Sequence, residues 1–92
     1  MSKIKIGLIS DTHGLLRDEV KEELKDSDLI IHAGDIGKIE VLEMLKNIAP
    51  VYAVQGNCDN EELKKILPKN QVVEVEGNFI YLNDLKPKLI QF

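Results

Sequence analysis

The sequence predicts an α/β fold, a mostly parallel sheet flanked by helices with a C-terminal antiparallel hairpin, on three observations. Short apolar runs alternate with amphipathic stretches of helical period, each of the first three runs ends in small and polar residues, and beyond Pro68 the period changes to strict alternation. The first run, Lys3 to Ser10, carries Ile4, Ile6, Leu8 and Ile9 and becomes almost continuously apolar, as a strand buried on both faces does, so it is expected at the centre of the sheet. Leu16, Val20 and Leu24 then recur at four-residue spacing among charged residues, an amphipathic helix that Ser27 and Asp28 end.

Leu29 to Ala33 is the second strand, and Ile39, Leu42 and Leu45 mark the second helix, closed by Pro50. Val51 to Val54 is the third strand. Asp59 to Leu67 reads as a short helix with Leu63, Ile66 and Leu67 inward, stopped by Pro68. Strands separated by helices of this length imply right-handed parallel crossovers. Val73 and Val75 then alternate with Glu74 and Glu76, and Gly77-Asn78 precedes Phe79 to Leu82, a hairpin on a Gly-X turn expected at the edge of the same sheet. Asn83 to Phe92 shows no period and reads as a tail.

Ninety-two residues make a single domain, residues 1–92. The net charge is −4 and Arg17 is the only arginine, which argues against a surface that tracks phosphate backbones and so against nucleic acid as a stable partner. One cysteine, Cys58, leaves no internal disulfide, and neither a signal pattern nor a long apolar run is present. A soluble, cytoplasmic protein without a membrane partner is expected.

The chemistry is expected where the three parallel strands end, at Ser10-Asp11-Thr12-His13-Gly14, Gly34-Asp35-Ile36-Gly37 and Gly56-Asn57-Cys58-Asp59. In open α/β sheets ligands bind outside the carboxyl ends of the strands, so the three clusters converge on one crevice. Asp11 and His13 are two apart, a spacing that in extended backbone points both side chains to one side and lets them share one metal ion. Asp35 adds a carboxylate able to bridge two ions, and Asn57 a neutral carbonyl oxygen. This mixed nitrogen and oxygen set suits Mn²⁺, Fe²⁺, Ni²⁺ or Zn²⁺. The bland alternatives are that Asp11 or Thr12 caps the following helix, that Asp35 makes an Asx turn, and that Asp59 with Glu62 forms a capping box. His32, inside its strand, reads as a hydrogen-bonded structural histidine outside the metal set. Cys58 is open between a buried small residue, a group that supports the site from behind its nearer residues, and a thiol on the substrate side.

Ile9 to Gly14, His32 to Ile36 and Val54 to Asp59 together resemble, in order and spacing, the first three motifs of the calcineurin-like metallophosphoesterase family, more narrowly its short bacterial and archaeal phosphodiesterase branch. The resemblance covers residues 3–82, leaves 83–92 as a tail, and implies half of the family's four-layer αββα sandwich, a truncated domain. It implies that Asp11 and His13 bind the first metal, that Asp35 bridges both and that Asn57 binds the second, while a metal-activated hydroxide attacks the phosphorus of a small phosphodiester. Asp35, Asn57 and Cys58 are then the catalytic candidates, Cys58 standing where many relatives have a histidine that donates a proton or contacts phosphate.

The family's later motifs add three histidines that Asn83 to Phe92 lack, so the divalent ions would be held weakly by one chain. With mainly one sheet present, an apolar sheet face is expected to be bare, and covered by a homo-oligomer or by the missing C-terminal half. The alternative function is a non-catalytic metallophosphoesterase-like interaction scaffold, similar to the subunit of the retromer coat. A receiver-like phosphoacceptor at Asp35 lacks the lysine expected at the end of a later strand.

Overall fold

Apolar residues leave the surface in this chain by filling two gaps, one between helices and a sheet and one between two sheets. The computed structural model describes residues 4–57, 59–82 and 88–90, so Cys58 lies outside the described residues. The elements in order are β1 (Ile6–Ile9), α1 (Asp18–Leu24), β2 (Leu29–His32), α2 (Ile39–Lys46), β3 (Val51–Ala53), α3 (Glu61–Ile66), β4 (Gln71–Val75), β5 (Asn78–Leu82) and β6 (Lys88–Ile90).

The first sheet is parallel with order β1-β2-β3, in the register Ile6 opposite Leu29 and Ile31 opposite Tyr52. All four residues of β2 are buried because both of its faces are covered. Ile30 packs with Leu24, Val41, Leu42, Leu45 and Leu63 from the helices, whereas Leu29 and Ile31 point the other way onto Val73 and Leu82. This alternation along one strand ties both gaps together. Ile30, Leu45, Leu63 and Leu82 are fully buried, each stabilising the fold by roughly 2 kcal/mol in removed apolar area.

Four expectations are corrected. The hairpin does not extend the parallel sheet: β4, β5 and β6 form a second, antiparallel sheet that packs on the first through Val73, Val75, Ile80 and Leu82. Its turn is Glu76-Gly77, with φ of +48° and +82°, and Asn78 already pairs with Val75, so the turn is of the doubly left-handed class whose twist matches the flanking strands. Part of the supposed tail, Lys88–Ile90, is strand β6, paired antiparallel to β5, while the rest of residues 83–92 lies outside the described residues. Finally, β1 is an edge strand rather than a central one among the described strands. A continuous apolar run reports burial, not strand order, and burial here is incomplete: Gly7 meets Leu24 and Ser27 on the helix side, but Leu8 is 60% exposed on the other.

The bare sheet face is accordingly smaller than expected, since the second sheet covers Leu29 and Ile31 and leaves Leu8 and Ile4 open. In α3, Leu63 is buried and Leu67 packs against the core, but Ile66 faces solvent. Asn60, not Asp59, caps that helix, its Oδ1 accepting from the Leu63 N–H at 3.0 Å. Asp59 is thereby released for a different task.

Candidate metal centre

At the carboxyl end of the parallel sheet, the loop after β1 runs alongside the loop after β2 and is zipped to it by backbone. The N–H groups of Asp11, His13 and Gly14 donate to the carbonyls of Gly34, Asp35 and Ile36 at 3.1, 3.0 and 2.7 Å. To make these bonds Asp11, His13 and Asp35 adopt φ of +55°, +48° and +58°, a left-handed conformation that costs on the order of 1 kcal/mol at a residue with a Cβ. Only Glu76, in the hairpin turn, shares it among the other described non-glycine residues.

The three strained residues are also the ones that come together. Ligand atoms of Asp11, His13 and Asp35 all lie within 4.8 Å of one another, with His13 Nε2 3.8 Å from Asp11 Oδ1. The extended backbone expected for Asp11 and His13 is therefore corrected: left-handed turns, not strand alternation, bring the side chains to one side. Neither Asp11 nor Thr12 caps a helix, because α1 begins at Asp18 after an Arg17 N-cap that offers no side-chain bond. Asp11 and His13 are exposed and Asp35 half-buried, as ligands facing an open crevice would be. Two carboxylates and an imidazole suit a divalent cation of the Mn²⁺ to Zn²⁺ group, so the residues present fit such an ion. Asn57 stands exposed at the same end of the sheet, one residue beyond Gly56.

Residues that the sequence reading set aside hold this arrangement in place. His32 is fully buried, its Nδ1 accepting from the Gly34 N–H at 3.1 Å and its Nε2 lying 3.0 Å from Thr12 Oγ1. The Thr12 hydroxyl proton is donated to the Ile36 carbonyl at 2.9 Å, so the imidazole is the donor to Oγ1 and is neutral, with its proton on Nε2. Burial pushes its pKa from 6.5 to about 4, against the opposing pull of the Asp59, Asp11 and Asp35 carboxylates. The expectation of a structural histidine holds, and what it supports is Thr12, between the two ligands of the first loop.

Asp59, 4% exposed, links the second and third loops: Oδ1 accepts from the Gly37 N–H at 2.9 Å and Oδ2 from the Gly56 N–H at 2.8 Å. Both glycines are required by close approach. A Cβ on Gly37 would fall on the His13-Gly14 backbone, and one on Gly56 on the carboxylate and amide nitrogen of Asp35. The repeated Gly-Asp and Gly-Asn pairs are the signal in the sequence for this packing. No sequence signal distinguishes the clamp Asp59 from a helix cap.

Gly56 also lines a cleft of about 380 Å³ with Gln55, Asn57, Lys64, Lys69 and Asn70. Among the described residues no helix is long and apolar enough to cross a membrane.

Comparison with known proteins agrees with this geometry. The family model described as "Calcineurin-like phosphoesterase superfamily domain" matches residues 4–86. The chain is 41% identical over 85 residues to a probable metallophosphoesterase of Methanocaldococcus jannaschii, covering 83% of this chain and 44% of that protein. It is 37% identical over 77 residues to a probable metallophosphoesterase of Methanothermobacter thermautotrophicus, covering 78% and 44%. Among solved structures, Vps29 of Chaetomium thermophilum superposes with a TM-score of 0.72 at 21% identity, over 86% of this chain and 45% of that one. A Vps29 single mutant from Entamoeba histolytica gives 0.69 at 20% identity, over 85% and 46%. At these identities the likeness is one of fold. The chain spans about half the length of each of these relatives.

Proposed function

Since the chain belongs to the calcineurin-like phosphoesterase superfamily, we propose that it contributes to a divalent-metal-dependent phosphoesterase of the cytoplasm, hydrolysing a phosphodiester bond of a small-molecule substrate. The observation that supports this most is the strain: Asp11, His13 and Asp35 all hold left-handed backbone, and their ligand atoms meet within 4.8 Å. Strain of this kind persists where surrounding structure over-determines it, and it clusters at functional sites.

In this reading Asp11 and His13 would hold one ion, Asn57 the second, and Asp35 would contribute to both. When bound, the ions supply neutralisation of phosphoryl oxygens and a lowered pKa for water. The chain's own residues do the positioning. The His13 N–H donates to the Asp35 backbone carbonyl and Gly56 packs closely on the Asp35 amide nitrogen and carboxylate, so the Asp35 backbone is held at the crevice from two sides. Cys58 lies outside the described residues and is kept in this proposal as a catalytic candidate. Protein donors are few for two ions, so water, a second copy or further chain would complete the shells. Mn²⁺, Fe²⁺, Ni²⁺ and Zn²⁺ all remain candidates on donor chemistry.

The test is Mn²⁺ titration by calorimetry on metal-stripped protein, with bis-p-nitrophenyl phosphate turnover measured on the same sample. Asp35→Asn is expected to abolish binding, because it alone would touch both ions; affinity equal to the parent's overturns the assignment. A second reading, a non-catalytic metallophosphoesterase-like interaction scaffold, is favoured by the edge strand β1 with its exposed Leu8, and by Ile4, exposed just before it. Under either reading that edge is expected to drive self-association, with Leu8→Lys shifting the population toward monomer in size-exclusion chromatography with light scattering. A parent that stays monomeric at high concentration removes the homo-oligomer.

A further inference from the structure

The 380 Å³ cleft beside Gly56 differs in charge from the crevice that holds Asp11 and Asp35. Sixteen Asp and Glu against twelve Lys and Arg give the protein its net charge of −4, yet among the described residues no carboxylate lines this cleft. Lys64 and Lys69 are among its lining residues, and neither lysine makes an ion pair among the described residues. Tyr81 donates to Asn70 Oδ1 at 3.0 Å, which occupies the acceptor of that amide and leaves its NH₂ as the group with unspent capacity. Asn57 adds a second side-chain amide.

The end of α3 would ordinarily oppose an anion here, because the last carbonyls of a helix carry partial negative charge. Gln55 removes part of that opposition. Its Nε2 donates to the carbonyls of Lys64 and Leu67 at 3.2 and 2.8 Å, and its own N–H donates to Pro68 O at 2.8 Å. These bonds fix the segment between Lys64 and Lys69 to the end of β3, next to the Gly56-Asn57 peptide. Gly56 packs on Asp35 and, with Asn57, also lines the cleft, so the cleft borders the peptide that meets the Asp35 carboxylate.

We propose that this cleft binds a phosphate-class oxyanion, a second phosphate carried by the substrate, held by Lys64, Lys69 and Asn70 while the scissile phosphoester lies at Asp35. The proposal rests on the phosphoesterase reading for what the anion belongs to, but anion binding itself needs no metal. It selects substrates that bear a phosphate besides the one under attack, and it distinguishes them from diesters with neutral arms by charge-assisted hydrogen bonds.

The test is titration of the metal-free 92-residue protein with inorganic phosphate in the presence of EDTA, followed residue by residue in ¹H–¹⁵N spectra at constant ionic strength. Saturable shifts are expected at the amides of Gly56, Asn57, Lys64, Lys69 and Asn70. They should weaken about tenfold or more in a Lys64→Ala, Lys69→Ala double variant, persist in Asp35→Asn, and leave Mn²⁺ affinity of the double variant unchanged. Absence of saturation at these amides, or the same affinity in the double variant, overturns the proposal. Phosphate binding in a protein that takes up no Mn²⁺ sustains the anion cleft and counts against the phosphoesterase reading, so the two can fail separately.

Discussion

Replacing Gly56 by alanine is expected to lower stability by about 3 kcal/mol and to remove Mn²⁺ binding in the same step. The added Cβ would sit 2.7 Å from Asp35 Cγ and closer still to the carboxylate oxygen and to the Asp35 amide nitrogen. A side chain could rotate away, but the backbone nitrogen cannot, so the second and third loops must separate. Separation pulls the Gly37 N–H off Asp59 Oδ1, and a buried carboxylate left half-satisfied adds its own penalty. The Cβ also displaces the Asp35 carboxylate from its place beside Asp11 and His13, dispersing the group of ligand atoms. The measurement is a urea unfolding midpoint at unchanged slope, together with calorimetry of Mn²⁺. Gly77→Ala is the control: its Cβ would meet nothing within 4 Å, and with φ of +82° it carries only the left-handed cost of about 1 kcal/mol. Equal losses in the two variants would sink the claim that space at Gly56 matters.

The same contrast between local pattern and tertiary packing separates what was legible in this sequence from what was not. The β-α-β-α-β-α order is legible because each strand is a short apolar run and each helix a single apolar stripe, signals that depend on near neighbours. The convergence of Asp11, His13 and Asp35 is legible too, since any parallel sheet brings the ends of its adjacent strands together. Strand partnership is not local. Val73 and Val75 alternate with glutamates in the same way whether their strand joins the edge of the first sheet or packs face to face on it, and only the fit of Leu82 and Val73 onto Leu29 and Ile31 decides between them. Asp59 was hidden for a related reason. An acidic residue just before a helix is read as a cap, but Asn60 takes that place and turns Asp59 back into the protein, toward two N–H groups that lie 22 and 3 residues away.

His32 shows how that buried frame responds to acid. The neutral imidazole accepts from the Gly34 N–H at Nδ1, so protonation would set two donors against each other in a place water does not reach. The folded protein therefore resists the proton, with a pKa of about 4 against 6.5 in the unfolded chain. Between those values the unfolded state binds more protons than the folded one, and stability falls as pH falls. The contribution is fully present above pH 6.5, declines by about 1.4 kcal/mol for each pH unit through the window, and levels off below pH 4, a total of about 3 kcal/mol. Urea unfolding of metal-free protein between pH 7 and pH 4 should show this slope, and His32→Gln, which has no proton to gain, should lose the His32 part of it at the cost of a lower plateau near neutrality. A variant with the parent's full pH dependence would mean that carboxylates, not His32, govern the acid response. Because Thr12 hangs from the same imidazole and holds the first loop between Asp11 and His13, the acid transition should also loosen that loop in the remaining folded molecules, seen as broadened Thr12 and Gly34 amide signals before the global unfolding midpoint is reached.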